Sequence, residues 1–197
     1  QATNRSWHPA TPAPAPKPAV KTRFSDVPTH AAFYTEIEWL ASRKITTGYG
    51  DGTFRPDQSV ERGAMAAYFY RMAGSPAVNL PKTSPFSDVP TNHPFYKEIV
   101  WMHQRGITTG YGDGTFRPNE AVSREATAAF LYRYSGSPVI PAVHGSGFKD
   151  VRANNSFYRE IIWLESRKIT AGYGDGTFRP YDSVSRGAMA AFLYRMR

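Results

Sequence analysis

The chain alternates short amphipathic segments with loops rich in glycine and proline. In AAFYTEIEWLASRK, the apolar residues Phe33, Ile37 and Leu40 fall at i, i+4 and i+7, which is the spacing of one helical face. A second segment, ERGAMAAYFYRM, places Met65 and Phe69 on one face in the same way. Both segments are therefore predicted to be helices, joined by the loop ITTGYGDGTFRP.

This helix–loop–helix pattern is written three times. Each copy opens on a phenylalanine, and Phe24, Phe86 and Phe148 are spaced 62 residues apart. The loop returns unchanged in the second copy and with the single replacement Ala171 in the third. Two short helices cannot bury all their apolar faces alone, so the copies are expected to pack as one cooperative unit.

The predicted fold is all-α with extended loops. The predicted boundaries are 1–22 for a linker rich in proline and alanine, and 23–85, 86–147 and 148–197 for the three repeats. For the helix starts, the pattern predicts Asn92 and Asn154 as N-caps of first helices. Ser123 and Ser185 are predicted N-caps of second helices, with Glu61 as a weaker substitute in the first copy.

Composition narrows the function classes. The formal net charge of +8 favours anionic partners such as nucleic acid, anionic lipid or acidic polysaccharide. The basic residues are scattered rather than clustered on one helix, which argues against nucleic acid. No apolar run approaches the roughly 20 residues of a membrane span, so neither nucleic acid nor membrane is expected as a partner.

We also expect no cofactor, no metal and no catalysis. The glycine-rich loop lacks the Lys-Ser/Thr of a phosphate-binding loop, and its one carboxylate is too few for calcium. The absence of cysteine excludes a thiolate zinc site. The acidic residues recur once per copy, as structural residues do after duplication, rather than as the paired carboxylates of a glycosidase.

The loop offers groups that could contact a sugar. Its tyrosine provides a ring and a hydroxyl, its arginine a positive charge, and its glycines and aspartate a tight turn. The alternative is that the loop only fixes the angle between two helices. The candidate loop residues are Tyr49, Tyr111, Tyr173, Gly50, Gly112, Gly174, Asp51, Asp113, Asp175, Arg55, Arg117 and Arg179.

The first helix carries a further aromatic candidate. Trp39, Trp101 and Trp163 stand two residues after a core isoleucine, about 200° around the helix, so they point away from the apolar face. Such a ring could stack on a sugar, or it could pack against the neighbouring repeat. Both interpretations stay open from the sequence.

The second helix carries a basic candidate. Arg62, Arg124 and Arg186 fall in its first turn, where a cation meets the positive end of the helix dipole at a cost of up to about 1 kcal/mol. An anionic ligand at the helix N-terminus would make this placement favourable. The alternative is an internal ion pair with the aspartate of the opening motif. These aspartates are Asp26, Asp88 and Asp150.

Taken together, FSDV, an amphipathic helix, ITTGYGDGTFRP and a following helix that begins with V-x-R resemble the S-layer homology (SLH) repeat. The resemblance extends from Phe24 to Arg197, and the variant is similar to copies in actinobacterial surface proteins. It implies a pseudo-threefold assembly around a central three-helix bundle. It also implies grooves that bind secondary cell wall polymers, often pyruvylated, and thereby hold a protein at the cell surface.

The chain departs from the family at one motif. The family opens the second helix with Thr-Arg-Ala-Glu and uses the basic residue to contact the acidic ligand. Here the motif reads ERGA, SREA and SRGA, so the arginine is kept and the glutamate position is alanine. We therefore expect an acidic wall glycan, of which a pyruvylated polymer is one candidate.

The expected function is a noncatalytic module that anchors a protein in the cell wall of a Gram-positive type cell. A tethered cargo domain is expected upstream of the linker. The alternative function is an S-layer lattice or self-association module that does not bind glycan directly.

Overall fold

The computed structural model describes residues 22–140 and 145–197. The predicted linker, apart from Thr22, lies outside the described residues, as do spacer residues 141–144. The described residues form six α-helices, two from each repeat, and this confirms the all-α prediction. The helices are α1 (Tyr34–Ser42), α2 (Arg62–Met72), α3 (Tyr96–Gln104), α4 (Arg124–Tyr134), α5 (Tyr158–Ser166) and α6 (Arg186–Met196).

The helices pair between repeats. Helix α2 packs against α3, α4 against α5, and α6 against α1. The second helix of each repeat thus lies on the first helix of the next repeat, and the last pair closes the ring. No repeat has its own helix pair, so the three copies form one unit.

A ring of backbone hydrogen bonds lies at the centre of this arrangement. The N–H of Val60 donates to the carbonyl of Val184 (3.0 Å), Val184 donates to Val122 (2.8 Å), and Val122 donates to Val60 (2.9 Å). All three valines are buried. Each repeat therefore gives one hydrogen bond and receives one, which defines a pseudo-threefold axis.

The second helices form the inner part of the core. In α2, the residues from Met65 to Tyr70 are all buried, so the helix contacts neighbours on several sides. The loop phenylalanines are fully buried as well, and they anchor each loop in this core; they are Phe54, Phe116 and Phe178. None of the helices in the described part of the chain is long and apolar enough to cross a membrane.

The starts of the second helices agree with the sequence. The side chain of Ser123 accepts a hydrogen bond from the N–H of Ala126, and Ser185 accepts one from Ala188, both at 3.1 Å. Glu61 stands at the N-cap position of α2, but its side chain makes no capping bond. The prediction that Glu61 is the weaker cap is confirmed.

The predicted N-caps of the first helices are wrong. Helices α3 and α5 begin several residues after Asn92 and Asn154, because the chain makes a turn before each helix starts. Within that turn, Asn155 accepts a hydrogen bond from the N–H of Phe157 at 2.7 Å. In the second repeat His93 does the same for Phe95 at 3.0 Å.

Candidate functional site

The aspartate of each opening motif holds the glycine-rich loop in place. The two carboxylate oxygens of Asp26 accept hydrogen bonds from the N–H groups of Phe54 and Arg55, one each, both at 2.8 Å. Arg55 has a φ of 60°, a conformation that L-residues rarely adopt and that costs about 1–2 kcal/mol. The two charge-assisted hydrogen bonds stabilise this backbone. Asp88 and Asp150 make the equivalent bonds in the other repeats.

The loop aspartate forms the turn itself. Asp51 accepts hydrogen bonds from the N–H and the hydroxyl of Thr53, and its other oxygen lies 3.2 Å from the guanidinium of Arg55. The bonds from Thr53, together with that from Arg55, lower the pKa of this carboxyl below its usual range. Asp113 and Asp175 have lowered pKa values for the same reasons. The carboxylates of these aspartates therefore bind groups of their own loop.

The glycines of one loop have different reasons to be glycine. Gly48 has a φ of 69° and lies so close to the ring of Phe24 that a Cβ would overlap it. Gly52 has a φ of 82° in open space. Gly50 has neither a positive φ nor a neighbour that a Cβ would touch, and Gly112 and Gly174 repeat this situation. The fold therefore does not require glycine at position 50 or at its equivalents in the other loops.

Two arginines from different repeats lie against each loop tyrosine. The guanidinium of Arg55 lies 3.7 Å from the ring centroid of Tyr49, and that of Arg186, from the third repeat, lies 4.8 Å from it. The other two loops have the same arrangement, each with a helical arginine from the preceding repeat. Arg117 and Arg62 flank Tyr111 at 3.7 and 4.8 Å, and Arg179 and Arg124 flank Tyr173 at 3.6 and 4.8 Å. We call these three groups the Arg–Tyr clusters.

The helical arginine of each cluster is buried between repeats. The Nε–H of Arg62 donates to the carbonyl of Phe116 at 2.7 Å, and its guanidinium lies 4.7 Å from the centroid of that ring. Arg124 and Arg186 make the same bonds to Phe178 and Phe54. The three residues are only 5–8 % exposed. Burial lowers the pKa of Arg62 and Arg124, yet arginine stays charged in proteins.

The ion-pair alternative for these arginines is not what the structure shows. The aspartates of the opening motif bind backbone N–H groups, and across residues 22–140 and 145–197 none of the three arginines has a carboxylate oxygen within 4.0 Å. Each buried guanidinium is held by a carbonyl oxygen and aromatic rings. Its positive charge has no direct counter-charge among the residues that the structure describes.

The proposed anion at the helix N-terminus is also not supported in its simplest form. The N–H of Arg62 donates to the carbonyl of Glu120 at 2.9 Å, and that of Gly63 to Pro118 at 2.8 Å. The N–H groups at the start of α4 and α6 are bonded to the next loop in the same way. Carbonyl oxygens of the adjacent repeat thus occupy these helix ends, and an anion would have to approach the guanidinium side chain.

The tryptophans lie away from the Arg–Tyr clusters, in the seams between paired helices. Trp101 packs edge-on against Tyr70 with ring centroids 5.6 Å apart, and its side chain is 4 % exposed. Trp163 packs against Tyr132, also at 5.6 Å, with 5 % exposed. Trp39, which is half-buried, contacts Tyr194 at 5.7 Å. The structure therefore places all three against the neighbouring repeat.

A cleft opens beside one of the clusters. It has a volume of about 430 Å³ and is lined by Arg186, Tyr49, Gln58, Tyr68 and Arg71, among others. Sequence reasoning missed the last three. Gln58 and Tyr68 are visible only as positions where the first copy differs from the other two, and Arg71 is a basic residue in the last turn of a helix.

A family model described as the S-layer homology domain matches residues 23–66, 85–128 and 147–190. The chain belongs to the S-layer homology family. The three matched segments contain every candidate residue named from the sequence, including the Arg–Tyr clusters and the seam tryptophans. Membership identifies the chain as a cell-surface anchoring module.

Several relatives of this SLH unit are longer proteins named for the cell surface or for anchoring. It is 28 % identical to cell surface glycoprotein 1 of Acetivibrio thermocellus, in an alignment that covers 78 % of this chain and 7 % of that protein. It is 34 % identical to a cell surface protein of Thermoanaerobacter kivui, over 60 % of this chain and 16 % of that protein. It is 27 % identical to the cellulosome-anchoring protein of Acetivibrio thermocellus, over 75 % of this chain and 34 % of that protein. The chain thus spans at most about a third of these relatives.

Proposed function

We propose that this SLH unit anchors its protein to a cell wall of Gram-positive type by binding an acidic wall polysaccharide at the Arg–Tyr clusters between repeats. A pyruvylated secondary cell wall polymer is one such ligand. Its carboxylate would approach the guanidinium of the helical arginine, and its sugar ring would lie against the loop. The polymer and any cargo attached through the predicted linker are part of this proposal.

The observation that carries the proposal is the buried positive charge of the helical arginine in each cluster. Arg62, Arg124 and Arg186 are buried, and none of them has a carboxylate oxygen from the described part of the chain within ion-pair distance. Desolvation makes such a charge costly unless an anion or strong hydrogen bonds stabilise it. The carbonyl oxygen and the aromatic rings supply part of that stabilisation, and a bound carboxylate would complete it.

The loop supports recognition of the sugar itself. Tyr49 and its equivalents present a ring next to the guanidinium pair. Gly50 and its equivalents leave the backbone bare at a point where the fold does not require glycine. A missing side chain there lets a ligand approach the main chain closely. The recurrence of this arrangement three times also raises avidity, because one rigid unit presents several weak sites.

The relatives support anchoring rather than lattice formation as the shared role. One is named a cellulosome-anchoring protein and another, from Bacillus anthracis, a cell wall amidase; the chain matches only 34 % and 33 % of their lengths. A module attached to such different proteins fits a common attachment function. The alternative, a lattice or self-association module, is favoured by the S-layer protein of Bacillus licheniformis, of which the chain matches 20 % at 27 % identity.

Co-sedimentation with purified cell walls tests the proposal. We expect the chain to sediment with intact walls and to remain in solution with walls whose secondary polymer has been chemically removed. Equal sedimentation with both preparations would contradict the proposal. Concentration-dependent association of the chain without walls, together with no polymer-dependent sedimentation, would favour the lattice alternative.

A matched pair of variants refines this experiment. The first replaces the exposed cluster arginines (R55Q, R117Q and R179Q). The second replaces three exposed arginines that follow the first helices (R43Q, R105Q and R167Q) and therefore removes the same charge from another part of the unit. Sedimentation should fall at least about tenfold more in the first variant than in the second. Equal losses in the two variants would show that wall binding depends only on the net charge of the chain.

A further inference from the structure

We call the surface beside each Arg–Tyr cluster a groove. The three grooves differ in sequence at several positions, and two of these differences bear directly on an acidic ligand. In the groove of Arg186, the loop carries the neutral Gln58, whereas the equivalent positions in the other grooves are Glu120 and Asp182. Helix α2 supplies Tyr68 to the same groove, where α4 and α6 supply phenylalanine. Those phenylalanines are Phe130 and Phe192. The fold repeats three times, but the chemistry of the grooves does not.

The carboxylates of Glu120 and Asp182 act against an acidic ligand. Glu120 lies 3.8 Å from the guanidinium of Arg117, so it already pairs with a cluster arginine. Burial lowers the pKa of Arg62, and the negative charge of Glu120 partly counteracts this lowering. Asp182 acts on Arg124 in the same way. A second carboxylate, brought by a ligand, would meet repulsion in both grooves.

Gln58 leaves the groove of Arg186 without that carboxylate. Its side-chain amide donates a hydrogen bond to the hydroxyl of Tyr49 at 2.9 Å. This bond orients the phenol without adding charge. The remaining acidic groups nearby are exposed. Glu61 lines the cleft at a position where the other repeats carry serine, Asp57 precedes Gln58, and Asp51 is paired with Arg55.

Tyr68 adds a donor that the other grooves lack. Its ring is 3 % exposed and lies 5.7 Å from the guanidinium of Arg186, and it lines the cleft of about 430 Å³. Burial raises the pKa of this phenol, so its hydroxyl keeps its proton at neutral pH. Tyr68 and Arg186 both line the cleft, and a carboxylate bound there can accept hydrogen bonds from a phenol and a guanidinium.

We propose that the groove between the first and third repeats, formed by Arg186, Tyr49, Gln58 and Tyr68, is the principal site for the carboxylate-bearing sugar, and that Glu120 and Asp182 weaken the other two. This inference rests on the proposed function. It makes the unit asymmetric in binding although its backbone is threefold.

The test uses isothermal titration of the full chain with a methyl hexopyranoside that carries a 4,6-linked pyruvate ketal, and with the uncharged ethylidene analogue as a control. Gln58→Glu copies the residue type of the second groove and should lower affinity about tenfold. Tyr68→Phe copies the other two grooves and should lower it about threefold to tenfold. Glu120→Gln and Asp182→Asn should leave the strongest site unchanged and add measurable binding at a second site.

The outcomes separate the two proposals. If the ketal binds and Gln58→Glu has no effect while Glu120→Gln or Asp182→Asn alters the strongest site, the assignment of the principal groove is wrong and the proposed function stands. If neither the ketal nor polymer-bearing walls bind any variant, the proposed function itself fails. Equal binding of the ketal and its uncharged analogue would overturn the role of the carboxylate.

Discussion

The seams and the Arg–Tyr clusters are both aromatic contacts between repeats, yet they differ in what they leave available. In a seam, Trp101 and Tyr70 meet edge-on and are both nearly excluded from water. In a cluster, Tyr111 is half-buried and sits between a buried and an exposed arginine. In the seam the tryptophan is buried against another ring, although a cleft with Arg105 and Arg133 lies beside it, whereas the cluster keeps a half-buried ring in direct contact with two guanidinium groups.

This difference shows why aromatic residues alone are a poor guide to a sugar site. Both the tryptophans and the loop tyrosines recur once per repeat, so repetition does not separate them. The direct contacts do, because each loop tyrosine lies against two guanidinium groups that can attract an anionic ligand, whereas each tryptophan packs edge-on against a tyrosine ring. Variants that affect one region and spare the other can break or sharpen the comparison.

The largest expected effect concerns stability of the seam. Trp101→Ala should lower the free energy of unfolding by about 3–5 kcal/mol, because it empties a buried aromatic contact between repeats. Trp39→Ala should cost less, since that side chain is half-buried. Urea denaturation followed by circular dichroism measures both. Wall binding by the folded fraction should persist, and its loss in a folded Trp101→Ala chain would place the tryptophan in the binding site.

The next effect separates two glycines of one loop. Gly114→Ala should cost about 1–2 kcal/mol because its φ is 83°. Gly112→Ala should leave stability nearly unchanged, since a Cβ there meets nothing within 4 Å. Thermal denaturation compares the two, and co-sedimentation then measures wall binding. We expect Gly112→Ala to bind walls more weakly despite normal stability; unchanged binding would argue against close approach of ligand to this loop.

A smaller effect should come from the one weak helix cap. Glu61→Ser should raise stability by about 0.5–1 kcal/mol, because serine caps α4 and α6 in the same setting. Ser185→Glu is the matched reverse change and should lower stability by a similar amount. Thermal denaturation at constant pH gives both values. A stabilising Ser185→Glu would show that the capping geometry does not control these helix starts.

The smallest effect is expected in acid and concerns the loop aspartates. Asp51, Asp113 and Asp175 have folded-state pKa values below the unfolded value of about 3.9, so their contribution is complete above that pH and is lost as the pH falls through the folded-state pKa. The melting temperature of the wild-type chain should exceed that of D51N/D113N/D175N at pH 5. The difference should shrink below about pH 4. A difference that grows in acid would contradict this assignment.

The repeat architecture and the helices could be predicted from sequence because they follow from local periodicity. The apolar spacing of Phe33, Ile37 and Leu40, and the cap at Ser123, depend on residues close in the chain. The closure of α6 on α1 depends on packing between distant repeats, which one repeat does not encode visibly. The turn before α3 was not predicted, and the predicted cap at Asn92 therefore lies several residues before the helix starts.

The candidate site was predictable in composition and less so in arrangement. The loop tyrosines, both sets of arginines and the loop aspartates do come together in the clusters. The sequence could not reveal that Asp26 holds the backbone of Arg55, because 29 residues separate them. It also could not decide whether Trp101 was exposed, since helical angle alone does not say where the next repeat lies.

The most direct test of the central claim is an NMR titration of the isotope-labelled chain with acidic fragments released from the cell wall. The account predicts that the backbone amides around Tyr49, Tyr111 or Tyr173 and the Nε–H signals of the helical arginines shift, while the indole N–H signals of the seam tryptophans stay in place. Shifts confined to those indoles, with the Arg–Tyr clusters unaffected, would contradict it.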